Sequence, residues 1–204
     1  MDKDKTIVDA HKAHLPEIVS FLKRLGVRTC DTDFNKLGSI VEEALAQGDA
    51  SCSEPAPERW QDRVIEELIA PHSSVLDVGC GSGILAIASV LLGAGSAEAC
   101  DVDGISVETA RRNCEKNGVS VKTYRSDLFS AVAGRFDVIC ANIVADIIIR
   151  MAPEIKAHMN AGGVFLCSGI IAERAGEVRG ALEANGLTVL RTDELNGWAA
   201  IVAE

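Results

Sequence analysis

From Val75 to the end of the chain, short apolar runs alternate with stretches whose apolar residues recur every three or four positions. A short apolar run bounded by turn residues is strand-like, whereas the three-to-four spacing marks one buried face of a helix. The alternation predicts strand Val75–Gly79, helix Ile84–Leu92, strand Ala97–Asp101, helix Ile105–Asn117 and strand Val119–Tyr124. It continues with strand Phe136–Ala141, helix Ile147–Met159 (stopped by Gly162-Gly163), strand Val164–Ser168 and helix Ala172–Asn185, closed by Gly186. The apolar run of Phe136–Ala141 predicts burial on both faces. Leu187–Leu190 and Trp198–Val202 then form an antiparallel ending, joined by a polar loop containing Asn196-Gly197. Strands that alternate with helices are linked by right-handed crossovers, so the predicted fold class is α/β with a doubly wound, mostly parallel sheet.

The first third of the chain has a different texture. Ile7, Leu15, Ile18, Val19, Leu22 and Leu25 recur at helical spacing up to Gly26, and Leu37, Ile40, Val41, Ala44 and Leu45 do so up to Gly48. Ala50–Pro57 is a short linker with two prolines, and Arg59–Ala70 reads as a further amphipathic helix closed by Pro71. The expected organisation is a helical N-terminal extension and linker over residues 1–57, followed by the α/β domain over 58–204.

A length of 204 residues fits one domain with such an appendage, and 48% apolar with 25% charged residues excludes wholesale disorder. The formal charge of −10 argues against a nucleic-acid partner, which needs a basic surface, and aromatics at 4% leave little for base stacking. The seven cysteines include no C-x-x-C pair and sit mostly in apolar or glycine-rich surroundings, as reduced thiols of a cytoplasmic protein do. The Met1-Asp2-Lys3-Asp4-Lys5 start is no signal peptide. The uncharged stretch Val78–Ala97 is cut by five glycines and three serines, which suits a strand–loop–helix and not a membrane span.

Candidate chemistry concentrates at the predicted carboxyl ends of the strands, where ligands of such sheets bind. The first turn reads Asp77-Val78-Gly79-Cys80-Gly81-Ser82-Gly83. Its glycines let the backbone approach a ligand. Their G-x-G-x-G spacing lacks the third glycine of a dinucleotide-binding turn, and Asp77 would repel a diphosphate. A ligand with an amino group and a positive centre would instead welcome that carboxylate. Asp101-Val102-Asp103 follows the second strand about twenty residues on, with Asp101 placed to accept ribose hydroxyls and Asp103 better suited to capping the next helix. Ser126-Asp127-Leu128 follows the third strand, where an acid can accept from an adenine amino group.

The set V-L-D-V-G-C-G-S-G, D-V-D, S-D-L and F-D-V-I-C-A-N-I resembles the class I S-adenosylmethionine-dependent methyltransferases. Asn142–Asp146, Met151–Glu154 and Ser168–Ile171 resemble more narrowly the ribosomal protein L11 methyltransferase family, over roughly residues 74–202. The resemblance implies a seven-stranded Rossmann-like sheet with an antiparallel final strand, S-adenosyl-L-methionine as cofactor, and a protein as methyl acceptor. It implies Asp77 and the loop Gly79, Cys80, Gly81, Ser82, Gly83 near the methionine part, Asp101 and Val102 at the ribose, Asp127 and Leu128 at the adenine, and Asn142 at the methyl-transfer end. The family's phenylalanine–glycine–threonine–glycine stretch before the first strand has no counterpart in Glu54–Pro71, and its α/β recruiting module contrasts with the helical pattern of residues 1–50. Both departures bear on the acceptor.

For an amine acceptor, Asn142 offers carbonyl groups to receive amine hydrogens, and the proton is expected to leave to water or to a nearby carboxylate such as Asp146. A small-metabolite acceptor, RNA, or a non-catalytic cofactor-binding module are the alternatives. The remaining chemistry-bearing residues read as scaffold. His11 and His14 share a helix face without a third metal ligand, and no metal site is expected. His72 and His158 lack partners, Trp60 and Trp198 belong to apolar elements, Arg111, Arg112 and Lys116 form a solvated face, and Cys80 packs as a small hydrophobe.

Overall fold

The computed structural model describes residues 69–204 apart from Asn196. The extension and linker expected over residues 1–57, the domain boundary, and His11, His14 and Trp60 lie outside the described residues. So does all of the helix expected over Arg59–Ala70 except Ile69 and Ala70, which are neither helix nor strand.

The elements are β1 (Ser74–Val78), α1 (Ile84–Leu91), β2 (Ser96–Asp101), α2 (Gly104–Asn117), β3 (Lys122–Arg125), β4 (Phe136–Asn142), α3 (Ala145–Ile155), β5 (Met159–Ile171), α4 (Ala175–Ala184), β6 (Val189–Leu195) and β7 (Trp198–Ala203). One seven-stranded sheet has the order β3-β2-β1-β4-β5-β7-β6, parallel throughout except for β7 against β5 and β6 against β7. This is the doubly wound sheet expected from the alternation. Strand order reverses between β1 and β4, the point at which crossovers leave to opposite sides and open a crevice at the carboxyl ends.

Strand parity decides which helices each residue meets. Leu76, Val78, Ile139, Ala141, Phe165 and Cys167 point into a core with Ile148, Met151 and Ile155 of α3 and Val178 and Leu182 of α4. Their neighbours Val75, Val138, Cys140 and Leu166 point to the other face, against Ala86 of α1 and Ala110 of α2. The period of two is what a strand imposes on side chains. Asp77 has the parity of Val75 and is therefore delivered to the α1 side.

Several element bounds differ from the sequence reading. Helix α3 ends at Ile155, not Met159, followed by a single 3-10 turn, Lys156–His158. Pro153 lies in the last turn of α3 and takes one backbone donor from it, and Met159 is already paired with Phe136 in the sheet. Strand β5 is accordingly much longer than Val164–Ser168 and takes in Gly162-Gly163, expected as helix stops, with Gly162 at φ 75. Strands β3 and β6 start later than expected, at Lys122 and Val189, and β6 runs on to Leu195, shortly before β7 begins at Trp198.

The amino ends of the three central strands are fastened by one carboxylate. Asp137 Oδ2 accepts from the backbone N–H and the Oγ–H of Ser74, each at 2.8 Å, and Oδ1 accepts from Asn160 Nδ2 at 2.7 Å. These donors hold the Asp137 carboxyl below its usual range. A depressed folded value stabilises the protein above the ordinary carboxylate range and loses that contribution as pH falls through it. Asp137→Ala is expected to cost about 2 kcal/mol in urea denaturation at pH 7, with the deficit shrinking between about pH 5 and pH 3. Equal midpoints at pH 7 would contradict this.

Candidate active site at the switch point

The turn after β1 is built from backbone bonds that converge on the tip of β2. Gly79 and Cys80 both donate their N–H to the Cys100 carbonyl, at 2.8 and 3.0 Å, and Gly83 donates to the Cys80 carbonyl at 2.7 Å. Gly81 donates to Asp101 Oδ2 and Asp103 to Asp101 Oδ1, each at 2.9 Å. Asp101 is thus oriented by one backbone donor per oxygen, which leaves the remaining lone pairs at the rim. Asn113 Nδ2 donates to the Ser82 carbonyl at 2.9 Å and ties the turn to α2. Asp103, as expected, caps α2, accepting from Ile105 and Ser106.

Asp77 is almost fully buried (1% exposed) and accepts from the Ala86 N–H at 3.2 Å. Ala86 lies in the first turn of α1, whose N-cap, Gly83, has no side chain to satisfy the free amides. The strand supplies the missing cap. Burial pushes the Asp77 carboxyl up to about 7, opposed by the Ala86 amide and reinforced by nearby Asp101. Among the described residues no lysine, arginine or histidine forms an ion pair with it. This internal capping role had no signature in the sequence, because it depends on strand parity and on where α1 begins.

The glycines of the turn divide the space around it. A Cβ at Gly79 would lie 2.6 Å from Ile143 Cγ2, and one at Gly83 would lie 2.9 Å from Ala110 Cβ, whereas nothing lies within 4 Å of a Cβ at Gly81. Gly79 and Gly83 are closed off by protein, and Gly81 faces open space. Cys80 is buried in the turn and its thiol is pushed well above the ordinary range by burial first and the Asp77 and Asp101 charges next. An inert packing thiol results, as expected.

After β3, Ser126 donates its N–H to the Asp101 carbonyl at 2.9 Å, while its hydroxyl donates to the Leu128 carbonyl at 2.7 Å and accepts from the Ala131 N–H at 3.0 Å. Leu128, half-buried, takes a positive φ of 51 in this turn. Asp127 is exposed, and its Oδ1 accepts from Arg150 of α3 at 2.7 Å. Arg150 is a partner that the sequence reading missed, since nothing local links positions 127 and 150.

Asn142 ends β4, paired with Ser168 of β5, and its exposed side chain makes no hydrogen bond among the described residues. Ile143 then donates its N–H to the Ser168 carbonyl at 3.1 Å and covers Gly79 from the β4 side. Asp146 sits in the first turn of α3, with its Oδ1 2.7 Å from Arg174 Nη1. The carboxylate considered as a proton acceptor is therefore already engaged by a guanidinium. Exposed Val102, Ile105, Val144 and Ile171 fringe the same rim.

The structure thus joins Asp77, Gly79–Gly83, Asp101 and Ile143 in one constellation at the switch point. Asn142 stands on the β4 side and the Ser126–Leu128 turn is fastened to the β2 tip. The other candidates serve the scaffold. Arg111 and Arg112 pair with Glu108, and Arg111 also with Glu115, on the exposed face of α2. His158 stacks on Phe129 with ring centroids 4.6 Å apart, and Trp198, expected in the core, is only half-buried at the start of β7. Among the described residues no group of histidine, cysteine and acidic side chains is arranged to hold a metal, and no helix is long and apolar enough to cross a membrane.

A family model described as ribosomal protein L11 methyltransferase (PrmA) matches residues 63–204. A Pelotomaculum thermopropionicum protein named ribosomal protein L11 methyltransferase is 45% identical over 143 residues, 69% of this chain and 46% of the relative. Another of that name from an Exiguobacterium species is 42% identical over 144 residues, 70% and 46% of the two chains. The chain spans about half the length of the curated relatives it matches. Among solved structures, the ribosomal protein L11 methylase of Lactobacillus delbrueckii subsp. bulgaricus superposes with a TM-score of 0.67 at 33% identity, covering 69% of this chain and 73% of that one. A T. thermophilus 16S rRNA methyltransferase in complex with AdoMet and guanosine shares the fold at TM-score 0.60 and 21% identity, over 76% and 44% of the chains.

Proposed function

The chain belongs to the ribosomal protein L11 methyltransferase family, and from that premise we propose that it transfers a methyl group from S-adenosylmethionine to an amine of a protein, a lysine side chain or an N-terminus. The observation that carries the reading is the buried carboxylate of Asp77, paired with no cation among the described residues, at the root of a turn whose Gly81 faces open space. A carboxylate held in low dielectric without a cation favours a positively charged ligand, which the open side of the turn can admit. Asp77 and the turn Gly79, Cys80, Gly81, Ser82 and Gly83 would hold the amino-acid end, Asp101 with Val102 the ribose, and Asp127 with Leu128 the adenine. When bound, S-adenosylmethionine supplies a sulfonium-activated methyl group.

The chain's own residues then have to align the acceptor and keep water out, and such positioning accounts for roughly 7–11 kcal/mol of barrier in favourable cases. Asn142 receives amine hydrogens through its side-chain carbonyl and directs the nitrogen lone pair. It is no base. The amine attacks in its neutral form, which partial desolvation against Val144 and Ile171 favours. Because Asp146 is taken by Arg174, the proton passes to water. The overall charge of −10 suits a cationic acceptor, and five described cysteines, all free and buried, suit a reducing cytoplasm.

The test separates cofactor holding from transfer. Asp101→Ala is expected to weaken S-adenosylhomocysteine binding by about 100-fold in calorimetry, since it loses ribose acceptors and releases the Gly81 amide together. Asn142→Ala should bind within about threefold of wild type, yet lose about 100-fold or more in tritiated-methyl transfer to ribosomal protein L11. Equal loss of binding in both variants would refute this division, and a wild-type protein that binds no S-adenosylhomocysteine would refute the reading itself.

A further inference from the structure

Resting on that reading, we propose that Gly169 is a positioning residue for Asn142: its missing side chain and left-handed backbone form the seat that fixes the amide. Strand β5 meets β4 in parallel up to Asn142 and Ser168, and the Ile143 N–H extends the ladder by one bond. On its other edge β5 slips against β7, where Cys167 faces Ile201 and Ile170 faces Ala199, so three steps of β5 match two of β7. Gly169 lies in that extra step at φ 77. A glycine in the left-handed region at a bulge bends a strand locally and re-aims what lies beside it.

What lies beside it is the methyl-transfer end of the site. A Cβ at 169 would fall 2.7 Å from Asn142 Oδ1, 3.1 Å from the Ile143 carbonyl oxygen and 3.2 Å from the Ile143 nitrogen. Two of these three neighbours are backbone and cannot swing away. Ile143 cannot retreat either, because its Cγ2 already fills the space over Gly79. The Asn142 side chain, with no hydrogen bond among the described residues to orient it, is aimed by this wall. A methyl group at 169 therefore displaces the amide and leaves the glycine turn on the far side of Ile143 in place. Transfer depends steeply on alignment of the reacting groups, whereas cofactor affinity does not involve the amide.

A strain-matched control lies in the same strand: Gly162 has φ 75, and nothing is within 4 Å of a Cβ built on it. Gly169→Ala and Gly162→Ala should both lose thermal stability and both bind S-adenosylhomocysteine within about threefold of wild type. Only Gly169→Ala should lower kcat with ribosomal protein L11 and tritiated S-adenosylmethionine, by about 100-fold, and only it should shift the Asn142 side-chain amide pair in nitrogen–proton NMR spectra. In an Asn142→Ala background the same change should cost no more than about twofold in kcat, because residues acting as one unit are not additive. The proposal falls if Gly169→Ala keeps the kcat of Gly162→Ala, if the amide pair does not move, or if the loss persists without Asn142. Should wild type bind no S-adenosylhomocysteine, the methyltransferase reading fails separately, and the amide shift still decides whether Gly169 seats Asn142.

Discussion

Asp77→Asn is expected to make the protein more stable and nearly unable to hold its cofactor. Burial raises the Asp77 carboxyl to about 7, so the folded state binds a proton that the unfolded chain releases near pH 4. The sign follows from that order. Stability from this group is complete below the unfolded value, is lost progressively as pH rises towards 7, and the charge burden is fully in place above it. A neutral amide of the same shape removes the burden but leaves its own buried donors to satisfy, for a net gain of about 2 kcal/mol at pH 8 and much less at pH 5. Thermal denaturation at the two pH values reads both numbers. On the proposed reading, in which the ionised carboxylate attracts the ligand's amino group, wild-type affinity for S-adenosylhomocysteine should tighten about tenfold between pH 6 and pH 8. The variant should lose about 100-fold in affinity and all of that pH dependence. A variant that binds normally with the same pH profile would show that Asp77 only caps α1.

Gly83→Ala should destabilise the protein far more than Gly81→Ala, two residues away in the same glycine turn. At φ 78 an L-residue costs about 1–2 kcal/mol in the left-handed region, and the new methyl would sit 2.9 Å from Ala110 Cβ and 3.2 Å from its Cα. Ala110 is fully buried where α1 and α2 pack on the sheet, so overpacking adds about 1–3 kcal/mol. A total of about 2–5 kcal/mol is a large share of the 5–15 kcal/mol that hold an ordinary domain together. Gly81→Ala is the contrast: it carries the backbone cost but meets no atom within 4 Å, so stability falls by only about 1 kcal/mol. Its methyl would instead enter the space assigned to the ligand. Urea denaturation and calorimetry of the pair should therefore diverge, Gly83→Ala failing in the first and Gly81→Ala in the second. Equal stability losses would show that the α1–α2 contact yields to an added methyl.

Much of the architecture was readable before any coordinates. The order of strands and helices, the antiparallel ending, the turn Gly79–Gly83 and the capping role of Asp103 came from periodicity and turn chemistry, which act over a few residues. The boundaries that moved were those set by partners far along the chain. Met159 joins a strand and not a helix because Phe136 pairs with it, and Gly162-Gly163 lies inside β5 for the same reason. Pro153 lay inside the expected helix, and only the pairing of β5 showed where that helix had to stop.

The site divides in the same way. The amino-acid sequence by itself determined which chemistry-bearing residues stand at the carboxyl ends of the strands, because strand ends and glycine turns are local features. Tertiary structure alone decided what each of them faces. Parity and the start of α1 buried Asp77 against Ala86; Arg150 and Arg174 reached Asp127 and Asp146 across the fold; the bulge in β5 brought Gly169 under Asn142. These are contacts between segments tens of residues apart, fixed by close packing and strand register, and no local pattern in the chain encodes them.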